Sequence, residues 1–382
     1  MKILHALPRL DAEAGGPTGV AIGLVEALNR IPDIQAEIVT VRGRDHDRLP
    51  LPFFDHSTIH EGVPVWFLPA GNWRVRSFTP SLAYVKWART HVRDYDIIHI
   101  HYLFSFTTLV TGAFALWHGK PFVIRPLGQL AAWSLKQRRL LKALWAVCID
   151  RPLLRRAAFV HATSEQEARD IEAFGVETRV VVVPPGISLP PDEVSVGRTA
   201  RPMILFLSRL HPKKRPELVI ELLAELVANG IDAELVFAGS GEPQFEALLR
   251  QKVVTCGLGD RVSFRGFVGG DDKLQLLRSA SVFVLPSQAE NFGVAVAEAM
   301  AAGCPVVVTR GVDIAGDIER SGAGSVAEAN VQSLTTAVSR VLSDPLLANK
   351  MGAAGRAYAR EHWCWPKIAA SLVREYNAAL HS

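Results

Sequence analysis

Two glutamates, Glu290 and Glu298, fall within the stretch LPSQAENFGVAVAEAMAAGCPVVVT at 285–309. The stretch reads as a strand, a loop holding Glu290, a helix opening near Phe292-Gly293, and a further strand. A helix N-terminus offers unpaired N–H groups and a positive dipole end, so the amides around Asn291, Phe292 and Gly293 suit a phosphate or sugar oxygen. Gly293 lets that oxygen come close. Glu298 lies more than one turn inside a helix otherwise made of Ala, Val and Met, where an ionised carboxylate is costly to bury without donors. Vicinal ribose hydroxyls would supply them. The plainer alternative is an exposed Glu298 and an ordinary loop acid at Glu290.

Upstream, the strand MILFL runs into Ser208-Arg209-Leu210-His211-Pro212-Lys213-Lys214, which places cations at a strand's C-terminal end. Arg209 and Lys214 can meet a diphosphate there. A departing nucleoside diphosphate gains negative charge as the glycosidic bond breaks, and fixed cations stabilise that charge most in the transition state. A solvated basic turn is the alternative. After the next strand comes Gly239-Ser240-Gly241, whose glycines permit close backbone approach. Arg265-Gly266-Phe267 then suits base recognition by backbone groups and an aromatic face; simple turn chemistry explains either tripeptide equally well.

In the first half, the loop Glu13-Ala14-Gly15-Gly16-Pro17-Thr18-Gly19 leads into a helix beginning near Val20 and is read as a ligand-facing loop or a structural turn. His99 and His101 flank Ile100 on one strand and project to one face. His101 is the nearer to a ligand crevice, with a satisfied structural histidine as the alternative. Asp94-Tyr95-Asp96 imitates a metal-binding D-x-D, but it precedes its strand and so sits at the end away from the crevice. It is read as a turn, and no other carboxylate grouping makes a metal site.

These residues need a scaffold, and the pattern supplies one. Apolar runs recur between helical stretches: KILHAL, AEIVTV, VPVWFL, DIIHIH, PFVIR, AFVHAT and RVVVVP, then MILFL, AELVFAG, RVSFRG, SVFVLP and PVVVT. Strands that are apolar throughout are buried on both faces, so the expectation is an α/β protein of two doubly wound, Rossmann-like parallel sheets. The polar, Pro-containing stretch 188–202 separates them, giving domains 1–190 and 191–365, with a final helix over 366–382 returning to the first. A chain of 382 residues, 49% hydrophobic, suits two cores. The formal charge of +4 calls for no nucleic-acid partner. The N-terminal apolar stretch is too short for a secretory signal and no run is long enough to span a bilayer. The four scattered cysteines fit reduced thiols, so a cytoplasmic location is expected. The absence of G-x-G-x-x-G argues against a nicotinamide or flavin enzyme.

Taken together, Arg209…Lys214 and Glu290-x7-Glu298 resemble the diphosphate clamp and the E-x7-E signature of family 4 of the retaining glycosyltransferases. The resemblance covers nearly the whole chain and is strongest over about 200–310. It implies a GT-B fold, two Rossmann-like domains facing across a cleft, and transfer of a sugar from a UDP- or GDP-sugar to a glycan or lipid-linked acceptor with retention and without a metal. It also implies that Glu290 lies near the donor sugar, that Glu298 holds the ribose, and that the loop at Gly16 approaches the donor phosphates. Many relatives carry a histidine after the strand following DIIHIH. Here the chain reads Ile124-Arg125-Pro126-Leu127-Gly128-Gln129, which leaves Arg125 or His101 as candidates for part of that role. A nucleotide-sugar epimerase and a non-catalytic GT-B partner subunit are the rival readings. Finally, Lys136, Arg138, Arg139 and Lys142 gather on one helical arc opposite Leu140, Leu141, Leu144, Trp145 and Val147. That arrangement suits an anionic membrane surface, or equally a helix that only covers the sheet.

Overall fold

The computed structural model describes residues 1–10, 16–41, 56–71, 78–136, 143–191 and 201–381. The chain divides into two compact units, Met1–Gly186 with Trp365–Ser382, and Ile187–Cys364. Sequence reading put these boundaries at 190 and 365. The pairing of Ile187 N–H with the Trp363 carbonyl at 2.7 Å draws Ile187 into unit 2.

Unit 1 holds eight strands: β1 (Lys2–Leu7), β2 (Gln35–Val41), β3 (Thr58–His60), β4 (Val63–Leu68), β5 (Ile97–His101), β6 (Phe122–Arg125), β7 (Phe159–Ala162) and β8 (Val180–Val182). Their order is β3-β4-β2-β1-β5-β6-β7-β8, parallel except where β3 meets β4. β3 escapes the sequence pattern because it is only three residues long. It forms because Glu61 and Gly62, both at positive φ, turn the chain back in a two-residue hairpin. One sheet face, with Leu4, Ile98, Ile100 and Ile124, packs under helices carrying Trp87, Val110 and Leu153. The other, with Ile3, Leu7, Ile97 and Val123, is covered by the helices Gly16–Asn29 and Trp365–Leu380. Trp365 fits against Gly23 and Gly186, where a Cβ would fall within 2.5 Å and 2.1 Å of its ring. Those two glycines let the last helix return to the first sheet.

Unit 2 holds β9 (Met203–Leu207), β10 (Glu234–Ala238), β11 (Val262–Phe264), β12 (Val282–Leu285), β13 (Val306–Thr309) and β14 (Gly324–Ala327), all parallel. The order β11-β10-β9-β12-β13-β14 is the doubly wound arrangement 3-2-1-4-5-6. Its switch point lies between β9 and β12, so the crevice outside their C-terminal ends is the place for a ligand. β9, β12 and β13 are buried at every residue, which explains their unbroken apolar reading. β14, with the sequence GSVA, carries no such signal. It pairs with β13 because Gly324 has no side chain, a Cβ there falling 1.9 Å from the Val306 carbonyl oxygen.

Candidate functional site

In unit 2 the chain leaving β9 forms a short 3-10 turn, Pro212–Lys214, capped by His211, whose side chain accepts the Lys213 N–H at 3.0 Å. The turn ends at Arg215, held left-handed at φ 53° while its guanidinium donates to the Ala329 carbonyl at 3.0 Å. This conformation is uncommon for a long side chain. It turns Lys214 inward, where the side chain is buried and ion-paired with Glu290. Burial, with Lys213 and Arg209 nearby, pushes the Lys214 ammonium down to about 7. The Glu290 carboxylate against it works the other way and favours the charged form. Arg209 stays exposed at the strand end.

Glu290 is clamped from both sides of its backbone. Its N–H donates to the Gly311 carbonyl at 2.7 Å, and its carbonyl accepts the Asp313 N–H at 3.1 Å. One turn earlier the Gln288 N–H donates to the Lys213 carbonyl at 2.9 Å, tying the Glu290 loop to the lysine turn. Gly293 follows at φ 92° and starts the helix Val294–Ala302. Non-glycine side chains resist that angle, and a Cβ would also press on Val312 at 2.9 Å. The Val296 N–H already donates to the Gly293 carbonyl at 2.8 Å, so the amides a helix N-terminus leaves for a ligand are those ahead of it. The Phe292 ring is buried edge-on against Trp363 at 5.4 Å, so only its backbone is left to meet a ligand. Glu298 is partly buried, and the Lys273 ammonium donates to its Oε1 at 2.7 Å. Lys273 belongs to the helix Gly270–Ser279, and nothing in the sequence pattern marked it.

The structure thus brings Lys214, Glu290, Gly293 and Glu298 to the β9/β12 end of one unit, the glutamates in two lysine–carboxylate pairs, Lys214 with Glu290 and Lys273 with Glu298. Gly241 has a structural reason of its own. A Cβ there would lie 2.2 Å from the Leu210 carbonyl oxygen, and its N–H already donates to Glu246 at 2.6 Å. Its amide is therefore spent within the turn. Phe267 is 69% exposed beyond β11 and free to present its face.

In unit 1 the helix begins at Gly16 rather than near Val20, so residues 16–19 form its first turn and not a loop, while Glu13, Ala14 and Gly15 lie outside the described residues. His101 is 1% exposed, its Nε2 lying 3.0 Å from the Nδ1 of His5 and its ring stacked on His99. It is one member of a buried row, His5, His99, His101 and His161, beside Arg125 and Tyr376. All four histidines and Arg125 occupy odd positions on strands in register, which puts them on the face covered by the last helix. Burial first, and for each ring the charge of Arg125 among other causes, hold these histidines neutral, His5 down to about 3 and the others well below their usual range. The same alternation of His5, His99 and His161 was present in the sequence, but only pairing of distant strands joins it.

Asp94 ends a short 3-10 turn, Tyr95 donates its hydroxyl to Glu37 at 2.7 Å, and Asp96 accepts the Lys2 N–H at 2.7 Å. These acids secure the N-terminal ends of strands. In the basic segment, Arg138, Arg139, Leu140, Leu141 and Lys142, with the side chain of Lys136, lie outside what is described. Leu144 and Val147 do not pack on the sheet as an apolar arc would; they are 65% and 58% exposed. A π-helical turn at Ala146–Asp150 changes the periodicity and buries Ala146 and Asp150 instead. Among the described residues no helix is long and apolar enough to cross a membrane.

Comparison with known proteins agrees with this fold. Residues 15–186 match the family model described as Glycosyl transferase 4-like domain, and residues 192–358 match Glycosyl transferases group 1. The chain is 27% identical to the D-inositol 3-phosphate glycosyltransferase of Streptomyces scabiei, over 100% of its own length and 91% of the relative's. It is 30% identical to the GDP-mannose-dependent alpha-(1-6)-phosphatidylinositol monomannoside mannosyltransferase of Mycobacterium tuberculosis, over 55% of this chain and 59% of that protein. Among solved structures, sucrose-phosphate synthase from Thermosynechococcus elongatus superposes with a TM-score of 0.79 at 20% identity, covering 99% of this chain and 98% of the other. Anabaena HepE in complex with UDP and glucose does so with 0.77 at 18% identity, covering 99% and 100%. With one family model on each unit, the chain belongs to family 4 of the glycosyltransferases and has their GT-B architecture.

Proposed function

We propose that the chain transfers a sugar, with retention and without a metal, from a UDP- or GDP-sugar bound at the β9/β12 end of unit 2 to a glycan or lipid-linked acceptor. The observation that carries this is the pair of lysine–carboxylate contacts at the switch point of a 3-2-1-4-5-6 sheet. Lys214 and Arg209 take the diphosphate, Glu290 the donor sugar, Glu298 the ribose, and Phe267 the base. The amides of Asn291, Phe292 and Gly293 face phosphate or sugar oxygens. Retention fits a leaving phosphate, held by Arg209 and Lys214, that accepts the acceptor's proton on the face it departs from. The roles of Gly16 and His101 rest on the family resemblance. UDP is named with structures of similar fold and GDP-mannose with a relative, which is why both bases are carried forward. A panel of UDP- and GDP-sugars tests the reading. The right donor at about 100 times its Kd stabilises the protein by about 2.7 kcal/mol, and sugar transfer to an added glycan acceptor is then followed by product mass. If no nucleotide sugar shifts the melting temperature, the reading is wrong.

The exposed Leu144 and Val147, next to a segment rich in Lys and Arg, favour a second element of the reading, attachment to an anionic membrane surface from the cytoplasmic side. Apolar side chains enter the headgroup region while cations meet lipid charge.

A further inference from the structure

Arg125 is the last residue of β6, 2% exposed, and its Nε has no hydrogen-bond partner. A guanidinium in that setting demands an acceptor, because buried charge without one is strongly unfavourable. Among the described residues none accepts from that Nε. The acid acting most on it is Glu167, but the carboxylate oxygens of Glu167 already accept the Gly128 N–H at 2.6 Å, the Thr163 N–H at 2.7 Å and the Thr163 hydroxyl at 2.6 Å.

Of the histidines beside it, His161 and His99 have both ring nitrogens paired, whereas His5 has one edge that is not. The Val183 carbonyl can only accept, so His161 donates from Nε2 at 2.7 Å and accepts at Nδ1 from the His99 Nε2–H at 3.3 Å. His99 Nδ1 then accepts the Tyr376 hydroxyl at 2.6 Å. His5 Nδ1 pairs with His101, which leaves His5 Nε2 buried without a partner, within electrostatic reach of Arg125. The loops following β5 and β6 are strained where they adjoin this cluster, with Tyr102, Phe104 and Leu127 at φ 70°, 49° and 55°. The Tyr102 N–H donates to the Arg125 carbonyl at 2.8 Å. Such strain gathers where a fold holds residues ready for a ligand.

His5, His99 and His101 have ring nitrogens within 4.8 Å of one another, close enough to suggest a metal ion. A divalent cation would meet the Arg125 charge with no carboxylate in the group to balance it. The missing partner is negative.

We propose that Arg125, with the His5 Nε2 edge, binds an oxyanion, a phosphate or carboxylate carried by the acceptor. The inference rests on the glycosyl-transfer reading and adds the acceptor's chemical class: it carries an anionic group.

The test uses the full chain as wild type, Arg125→Met and Arg125→Lys, melted with rising inorganic phosphate or acetate against chloride at matched ionic strength. Phosphate raises the wild-type melting temperature beyond chloride, Arg125→Met abolishes the response, and Arg125→Lys shifts its midpoint at least tenfold. Without phosphate, Arg125→Met melts above wild type, because replacing an uncompensated buried charge by an apolar chain relieves the folded state. A phosphate response no larger than chloride's, or one retained in Arg125→Met, overturns the site, as does specific stabilisation of wild type by zinc chloride. UDP and GDP binding on the same samples separates the two failures. If neither binds wild type, the glycosyl-transfer reading falls; if one binds while phosphate does nothing, the oxyanion site alone falls.

Discussion

Lys214 and Arg209 are chemically similar but differ in setting, and their variants should separate accordingly. Arg209 is exposed, so Arg209→Ala lowers kcat and donor affinity, with kcat/KM for the donor down about 100-fold, while leaving stability unchanged. Lys214→Ala should show the same kinetic loss and also destabilise unit 2 by about 2 kcal/mol, because Glu290 loses the charged partner of a mostly buried pair. Steady-state kinetics and denaturant melts on the two variants check both halves, and wild-type turnover in either rejects the clamp. At Glu298 the relevant partner is Lys273, which engages Oε1 and leaves Oε2 for ribose hydroxyls. Glu298→Gln therefore weakens binding of the bare nucleoside diphosphate about tenfold, and Lys273→Ala weakens it less. Calorimetric titration with UDP and GDP decides, and equal affinity in wild type and Glu298→Gln removes the ribose role.

The elements that set these side chains depend on a few close backbone approaches. Gly239, at φ 137°, lies where a Cβ would fall 2.0 Å from the Ser208 carbonyl oxygen, and its N–H donates to the Gly266 carbonyl at 2.6 Å. Gly239→Ala thus has to spread the ends of β9, β10 and β11 together. A loss of at least about 2 kcal/mol in the unfolding free energy is expected, with weakened donor binding, although residue 239 need touch no ligand. A melt indistinguishable from wild type would contradict the register described. The basic segment is a second element-level case. Charge reversal at Lys136, Arg138, Arg139 and Lys142 together, or Leu144→Ser with Val147→Ser, should reduce cosedimentation with vesicles of anionic lipid at low salt. Vesicle binding that is absent in wild type, or indifferent to both variants, leaves the segment no membrane role.

At the scale of the whole molecule, the buried histidine row predicts how unit 1 responds to acid. In the folded chain the four rings are held neutral far below 6.5, whereas in the unfolded chain they take up protons near that value. Below pH 6.5 the unfolded state binds more protons, so stability falls as pH falls; above it these groups contribute no pH dependence. Each ring contributes up to about 1.4 kcal/mol per pH unit, and four together up to about 5.6. Asp150, which burial pushes up to about 7, acts in the opposite sense between pH 4 and 7 but is one group against four. Denaturant melts from pH 7.5 to 5 should show unit 1 failing first, and His99→Phe, which removes one titrating ring, should flatten the slope. A stability flat from pH 6.5 to 5 would show that the rings are not neutral and enclosed.

The sequence by itself determined the class of the fold and where along the chain the candidate donor residues stand. Continuous apolar strands can only be buried on both faces, and Arg209, Lys214, Glu290, Gly293 and Glu298 occur where strands end and a helix begins, a relation local in the chain. The short strands β3 and β14 were not legible, because their pairing comes from a two-residue hairpin and from one missing Cβ. Nor was the partner of either glutamate, since Lys214 and Lys273 reach them from other elements. Whether Leu144 and Val147 pack on the sheet stayed open in the sequence; the structure leaves both exposed beside a π-turn that no periodicity announces. The histidine row shows most clearly what tertiary structure decides. His5, His99, His101, Arg125 and His161 are separated by up to 156 residues, and although His99, His101 and Arg125 drew notice in the sequence, nothing there joined them to His5 and His161. Parallel pairing of β1, β5, β6 and β7 sets them on one face, and closure by the last helix removes the water that would otherwise have served as their partner.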